Sequence, residues 1–184
     1  MDAQRPGSSY ADYLHGETTS DAKHVWVGGE IFAKSGASRR HNRIATHLLG
    51  ELFIQLRATP CRPVNSDQRI RVDAADASFY PDVTVICGDD VVSEVDPEAL
   101  TNPTIVFEVL SPSTEAWDRG GKFAALQQLP SLTHYVLVAQ ERRRVEVYER
   151  HTAERWTLTV LHEGSLKLAA HGLSLPLEQL YDGV

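Results

Sequence analysis

The order of hydrophobic and polar residues along the chain predicts alternating strands and helices. Residues 24–32 read as two short strands around Gly28-Gly29, a pattern typical of a hairpin. Between residues 40 and 57 the apolar side chains recur every three or four positions, which predicts a helix with one buried face. Residues 68–72 alternate as in a half-exposed strand, and residues 78–87 form a more apolar one. A strand in that last segment must start, bulge or lie at an edge near Pro81.

The second half of the chain predicts a parallel pair of strands inside a mixed sheet. Residues 104–110 are apolar apart from Glu108, as expected of a central strand covered on both faces. Ser113 or Thr114 can cap a helix that runs toward Leu129-Pro130, and residues 134–139 form a second buried strand. A strand, helix, strand unit implies a right-handed crossover. With outer strands at 143–150 and 155–161, the fold class is α/β (α+β), a mixed central β-sheet flanked by helices.

Composition fits one domain. The 184 residues are 42% hydrophobic and 23% charged, as in an ordinary globular protein. We expect an N-terminal arm or short helix over residues 1–22, followed by a single domain over residues 23–184. No segment has the length and hydrophobicity of a secretory signal or a membrane span, so we expect a soluble cytoplasmic protein without a membrane partner. Cys61 and Cys87 lack metal-site spacing and are predicted to be buried, reduced thiols rather than a disulfide.

The charge of the chain counts against binding nucleic acid by general electrostatics. Acidic residues outnumber basic ones 25 to 18, giving a net charge of −7. Nine of these acids and only two bases fall between Asp67 and Glu98, and we expect the loop over 88–102 to be solvated. The negative charge is therefore concentrated in one segment, which could face away from an anionic substrate.

Four residues at three places in the chain carry candidate chemistry. Glu108 lies in an apolar strand, where an ionised carboxylate is costly unless a cation, a metal or a hydrogen-bonding network compensates it. Asp82 follows Pro81 at a strand start, where two strands can diverge and leave a cleft. Asp118 and Lys122 are four residues apart on the next helix. Taken singly, each has a structural explanation: a Glu paired with an Arg, a turn Asp, and a simple helical ion pair.

Together these residues predict a metal-dependent phosphodiesterase site. Two carboxylates on adjacent strands suit a hard divalent cation such as Mg²⁺, which prefers oxygen ligands. A lysine beside that cation can orient an attacking water or stabilise charge on the phosphate, as metal-assisted hydrolysis requires.

The same residues resemble a known nuclease pattern. Pro81-Asp82 followed by Phe107-Glu108-Val109 is similar to the PD-(D/E)xK superfamily, but its usual lysine position holds Leu110. The segments YPDVTVICG (80–88), VFEVLSPSTEAWDRGGKF (106–123) and LPSLTHYVLV (129–138) resemble the Uma-two family of restriction-endonuclease-like proteins, in which the lysine has moved to the following helix. The resemblance implies a restriction-endonuclease-like core with Lys122 as the catalytic lysine.

From this resemblance we expect Asp82, Glu108 and Lys122 to be catalytic. Asp82, Glu108 and the Val109 carbonyl would hold Mg²⁺ or Mn²⁺. Around them, the resemblance places Glu30 and His41 near the site, although His41 is most simply a solvent-exposed helix residue. An acid that the family often carries in the first strand would align near Val25, which is apolar here.

Two further residues have open roles beside the predicted site. Ser111 could bond a site carboxylate or only begin the turn after the strand, and Asp118 is either a partner of Lys122 or an outer ligand through water. Two basic clusters could grip phosphates or be neutral surface, namely Arg39-Arg40-Arg43 and Arg142-Arg143-Arg144.

The sequence therefore favours a magnesium-dependent endonuclease that hydrolyses DNA. The alternative is a catalytically silent binding or regulatory module with a nuclease fold, forming a homodimer. An acid/base hydrolase acting on a sugar ranks last, because it explains neither the lysine nor the acid-rich segment.

Overall fold

The computed structural model describes residues 5–34 and 36–184. The strands, in chain order, are β1 (Arg5–Pro6), β2 (His24–Val27), β3 (Glu30–Ala33), β4 (Cys61–Asn65), β5 (Arg69–Val72), β6 (Ala77–Phe79), β7 (Val83–Cys87), β8 (Ala99–Leu100), β9 (Pro103–Leu110), β10 (His134–Ala139), β11 (Val145–Arg150), β12 (Trp156–Leu161), β13 (Ser165–Leu168) and β14 (Leu173–Pro176). The α-helices are α1 (Tyr10–Thr19), α2 (Arg39–Leu56), α3 (Glu115–Trp117), α4 (Phe123–Leu126) and α5 (Leu177–Leu180). A π-helical turn (Asp118–Lys122) joins α3 to α4, and 3₁₀ turns follow β5 and β13.

Two six-stranded sheets form the frame. The central sheet has the order β12-β11-β10-β9-β7-β4, and the second sheet has the order β1-β3-β2-β6-β5-β8. Strands β9 and β10 are parallel, with Glu108 opposite Leu137, and the other pairs of the central sheet are antiparallel. The predicted mixed sheet, its parallel pair and the Gly28-Gly29 hairpin are therefore confirmed.

The two faces of the central sheet are covered by different layers. Helix α2 packs on one face together with the C-terminal hairpin β13-β14 and α5. One row of its predicted apolar stripe is completely buried, at Ile44, Leu48, Leu52 and Leu56, whereas Phe53 in the second row is 55% exposed. The second sheet and α4 cover the other face, where the side chains of alternate β9 residues point. The fold class predicted from the sequence is confirmed.

Pro81 divides what the sequence presents as one apolar segment. Residues 78–87 form β6 and then β7, and the two strands belong to different sheets. Proline cannot donate to a sheet ladder, so β7 begins only at Val83. The chain thus crosses from the second sheet to the central sheet at Pro81-Asp82, and this crossing leaves Asp82 beside the end of β9.

The acid-rich segment is more structured than a solvated loop. Asp96 is 1% exposed and accepts a bidentate pair of hydrogen bonds from Arg69, at 2.5 Å from Nε and 2.8 Å from Nη2. Arg69 lies on β5, whose four residues are all buried, so the prediction of a half-exposed strand there is wrong. The reason is that β5 lies inside the second sheet, between β6 and β8.

The prediction of reduced cysteines is also wrong, because the structure joins Cys61 and Cys87 in a disulfide. The two residues face each other across β4 and β7, with their Cα atoms 3.9 Å apart. Their separation of 26 residues carried no sign of this pairing, which depends on the register of two strands.

The N-terminal helix packs against the second sheet. Tyr13 of α1 is 1% exposed and contacts Trp26 of β2, with ring centroids 5.9 Å apart. Residues 1–4 of the predicted arm lie outside the described residues. In the part of the chain that the structure describes, no helix is long and apolar enough to span a membrane.

The Arg69–Asp96 pair predicts a large stability effect. We expect Asp96→Ala to lower the free energy of unfolding by about 3–5 kcal/mol, because it leaves the Arg69 guanidinium buried without its carboxylate. Asp90→Ala is the matched control: Asp90 pairs with Arg62 on the exposed surface, where the loss should be about 0–1 kcal/mol. Urea unfolding of both variants measures the difference. Equal losses of free energy in the two variants would show that the buried pair stabilises the fold no more than the exposed pair does.

Candidate active site

The site begins where β7 and β9 separate. Val83 pairs with Phe107, and the next position outward places Asp82 opposite Glu108. Because side chains alternate along a strand, Val83 and Phe107 face α2, while Asp82 and Glu108 face the opposite side. The two predicted carboxylates are therefore brought together. Asp82 is 7% exposed and Glu108 is 4% exposed.

Asp82 is held ionised by its neighbours. Its Oδ2 accepts a hydrogen bond from the Val109 backbone N–H at 2.8 Å. Its Oδ1 lies 3.3 Å from both His41 Nε2 and Lys34 Nζ. Burial alone would raise the pKa of Asp82, but the His41 hydrogen bond and the Lys34 charge outweigh it and hold the pKa well below its usual range.

Of the two carboxylates, Glu108 has its charge compensated less completely. Its Oε1 lies 2.5 Å from Lys122 Nζ, yet this buried oxygen accepts no well-directed hydrogen bond from the described residues. Burial raises the pKa of Glu108 to about 8, because the attraction of Lys122 does not offset the burial and the repulsion from Asp82 and Asp118. Glu108 is thus a buried acid with too little positive charge around it.

A π-helical turn brings Lys122 to Glu108. Asp118 and Lys122 are the first and last residues of this turn, and both are buried. Lys122 Nζ lies 3.7 Å from Asp118 Oδ1, so the predicted partnership of Asp118 with the lysine is present. Burial alone would lower the pKa of Lys122, but the carboxylates of Glu108, Asp118 and Asp82 outweigh it and raise the pKa. Single π turns inside α-helices occur frequently at functional sites.

Gly121 allows the π turn to pack. A Cβ atom at this position would lie 2.0 Å from Cζ3 of the Trp117 ring. Trp117 is in turn part of the cavity wall. The absence of a side chain at Gly121 therefore lets an aromatic side chain lie across the turn that carries Lys122.

The structure separates the remaining predicted residues. His41 is not solvent-exposed, since its side chain is 13% exposed and contacts Asp82. Ser111 Oγ bonds to Thr114 Oγ1 and its carbonyl accepts from the Thr114 and Glu115 N–H groups, so Ser111 forms the turn. Glu30 is exposed at the opposite end of β3 from Lys34, about 13 Å away along the strand. Glu30 is not part of the cavity wall.

Two residues of the site were not anticipated from the sequence. Lys34 follows β3 and donates to the Tyr80 carbonyl at 2.7 Å as well as facing Asp82. Gln140 follows β10, is 5% exposed, and joins the same cavity. The scarcity of lysine, four residues in the chain, is the only feature that marks Lys34. Nothing in the local sequence marks Gln140.

The carboxylates open onto a cavity of about 220 Å³. Its wall combines the two acids with the start of α2, the turn after β9 and the π turn; the lining includes Ser38, His41, Asp82, Glu108, Lys122 and Gln140. The arrangement provides oxygen ligands, one buried lysine and an opening to solvent.

The mixed sheet with its parallel β9-β10 crossover and buried acids at a strand divergence defines a restriction-endonuclease-like fold. The structure is similar to the crystal structure of a protein of Anabaena variabilis titled a "putative nuclease belonging to DUF820". The TM-score is 0.72 at 16% sequence identity, over 89% of this chain and 92% of that one.

The family follows from the sequence comparison. The family model of Uma2, described as "putative restriction endonuclease", matches residues 10–178, and the chain belongs to this family. Two relatives from Synechocystis are described as uncharacterized proteins. One, slr1290, is 34% identical over 181 residues, covering 97% of this chain and 94% of the relative. The other, sll1609, is 34% identical over 151 residues, covering 82% and 85%.

Gly121 gives a test of the π turn. We expect Gly121→Ala to lower the free energy of unfolding by about 1–3 kcal/mol, because the added methyl group displaces Trp117. Gly120→Ala is the control, since a Cβ at Gly120 meets no atom within 4 Å. Chemical denaturation followed by tryptophan fluorescence measures both variants. A Gly121→Ala protein as stable as the Gly120→Ala protein would contradict the close packing.

Proposed function

We propose that this protein is a magnesium-dependent endonuclease that hydrolyses DNA phosphodiester bonds. The observation that carries the proposal is the buried pair of Asp82 and Glu108 beside Lys122, in which Glu108 Oε1 accepts no well-directed hydrogen bond from the described residues. Membership of a family described as restriction endonucleases supports the reaction class.

The residues of the site fit a hard divalent cation. Asp82 and Glu108 supply oxygen donors from adjacent strands, and Lys122 alone does not bring the pKa of Glu108 back to its ordinary range. Asp82 and Glu108 would hold Mg²⁺ or Mn²⁺, with the Val109 carbonyl as a further proposed ligand. Bound there, the cation would lower the pKa of a water molecule and neutralise charge on the phosphate.

Other residues of the site would position the reacting groups and keep Asp82 ionised. Lys122 is positioned by Glu108 and Asp118, and its ammonium group can orient a water or donate to a phosphate oxygen on which charge builds up. His41 and Lys34 keep Asp82 ionised. The Val109 N–H fixes the orientation of the Asp82 carboxylate. In hydrolysis the water oxygen bonds to phosphorus, the P–O bond to the leaving oxygen breaks, and that oxygen takes up a proton.

A cytoplasmic location, a homodimer and one domain over residues 23–184 stay predictions. None of them is needed for the site, because every residue proposed for catalysis comes from one chain.

Plasmid cleavage tests the assignment. We expect supercoiled DNA to be nicked with Mg²⁺ or Mn²⁺ and not after chelation with EDTA. Asp82→Asn, Glu108→Gln and Lys122→Met should each lower the rate about 10²-fold or more, because each removes a group that acts on the transition state. Asp90→Asn, a loss of one exposed acid, is the control and should retain the rate.

Circular dichroism must show that all four variants fold. A wild-type rate in the Asp82, Glu108 and Lys122 variants would refute the site. A folded wild-type protein that does not cut DNA with either metal would instead favour the silent binding module.

A further inference from the structure

The fold joins two basic segments that are about a hundred residues apart in the chain. Ser38 Oγ donates to Gln140 Oε1 at 2.6 Å, and Arg40 Nη1 lies 3.5 Å from Glu141 Oε2. These contacts place the segment 36–43, at the start of α2, beside the turn 140–144, after β10. Together the two segments contain six of the 18 basic residues and only one acid, Glu141.

Of the six arginines in these two segments, three have exposed side chains that are free to bind a ligand. Arg40 and Arg144 pair with carboxylates, and Arg43 donates to the Gly183 carbonyl. Within the described residues, the side chains of the other three arginines make no ion pair or hydrogen bond. We call these three the arginine rim: Arg39, Arg142 and Arg143.

The turn that carries two of the three rim arginines is held in place. Ala139 N donates to the Arg144 carbonyl at 2.9 Å, which closes the turn. Tyr181 Oη lies 2.8 Å from the Ala139 carbonyl and accepts from Arg144 N at 3.2 Å. The arginines therefore project from a fixed base rather than from a loose loop, so less ordering is needed when they bind a ligand.

Gln140 extends the rim into the cavity. Ser38 Oγ accepts from the His41 N–H, so its own hydrogen points to Gln140 Oε1 and fixes the side-chain amide. Gln140 is 95% buried and belongs to the cavity wall, yet its Nε2 donates to no described protein atom. An NH₂ group on so deeply buried a side chain, in the cavity wall and without a protein acceptor, can donate to a ligand that enters the cavity. The N-terminus of the 18-residue α2, beside it, also favours an anion.

Four exposed acids of the acid-rich segment lie at the other end of the central sheet. The acid-rich segment 88–102 starts after Cys87, whereas Asp82 precedes the other end of β7, about 17 Å away along the strand. Within that segment Asp89, Asp90, Glu94 and Glu98 are exposed. The net charge of −7 therefore does not reflect the local excess of basic residues in the two segments beside the cavity.

We propose that the arginine rim and the Gln140 amide bind the phosphate backbone of the DNA substrate, with Gln140 contacting a phosphate next to the one that is cut. This inference rests on the proposed function and adds the path of the substrate strand across the site. The rim contacts phosphates and not base edges, so it contributes affinity without sequence preference.

Fluorescence anisotropy of a short fluorescein-labelled DNA duplex tests whether the DNA strand follows this path across the arginine rim. The measurement uses the full chain in a Glu108→Gln background with Mg²⁺, so that the probe stays intact. We expect Arg142→Glu/Arg143→Glu to weaken binding at least about tenfold and to reduce the slope of log K against log salt by about 2. The control Arg57→Glu/Arg155→Glu changes the net charge equally at exposed sites and should alter affinity less than about threefold.

Gln140→Glu is the sharper variant. It keeps an acceptor for Ser38 but replaces the free NH₂ donor by an anionic oxygen, so we expect at least about tenfold weaker binding by a protein that circular dichroism shows to be folded. Equal losses in the rim and control pairs, or wild-type binding by the rim pair and Gln140→Glu, would overturn the proposal. So would a background protein that binds no duplex.

The proposed nuclease activity and the proposed path of the DNA strand can be refuted independently of each other. Cleavage that requires Asp82, Glu108 and Lys122 but not the rim would leave the nuclease and refute the path. Binding that depends on the rim in a protein that never cuts DNA would support the path and refute the nuclease.

Discussion

The burial of a carboxylate in the central strand is the constraint on which the site depends. Glu108 is surrounded by apolar neighbours on β9, and an isolated charge there would cost several kcal/mol or remain protonated. Two features of the fold place other charged groups beside Glu108. A π turn directs Lys122 at Glu108, and the Pro81 break between the two sheets brings Asp82 alongside. The compensation is incomplete, since the pKa of Glu108 stays near 8, and this deficit of positive charge is what makes the site suited to a divalent cation.

The same geometry reconciles an acidic chain with the anionic substrate proposed for it. The two ends of the central sheet carry different groups. Strand β7 begins beside the carboxylate pair and ends at the acid-rich segment. Some of that segment's charge is neutralised internally, as Asp96 is by Arg69. The start of α2 and the turn after β10 lie at the cavity instead, and both are rich in arginine. Net charge therefore describes this molecule poorly, because the field at the site is set by the local groups.

Sequence patterns were sufficient wherever the determining signal is local. The apolar stripe of α2, the hairpin at Gly28-Gly29 and the β9-β10 crossover follow from periodicity. Asp82 and Glu108 stand out as charged residues in or beside apolar segments, whereas Lys122 is singled out only by the family resemblance. Features that depend on how distant segments pack were missed. The disulfide of Cys61 and Cys87 requires the register of β4 and β7, and the contacts of Lys34, His41 and Gln140 require three separate elements to meet at one cavity.

The central claim is that Asp82 and Glu108 together hold a divalent cation. A crystal of the protein soaked in Mn²⁺ and measured for anomalous scattering tests it directly, because the signal locates the metal without relying on activity. The account predicts one anomalous peak within ligand distance, about 2.0–2.2 Å, of oxygens from both carboxylates. It also predicts that the peak disappears in Glu108→Gln crystals treated in the same way. A fully soaked crystal with no peak between these two side chains, or with manganese bound only elsewhere, would contradict it.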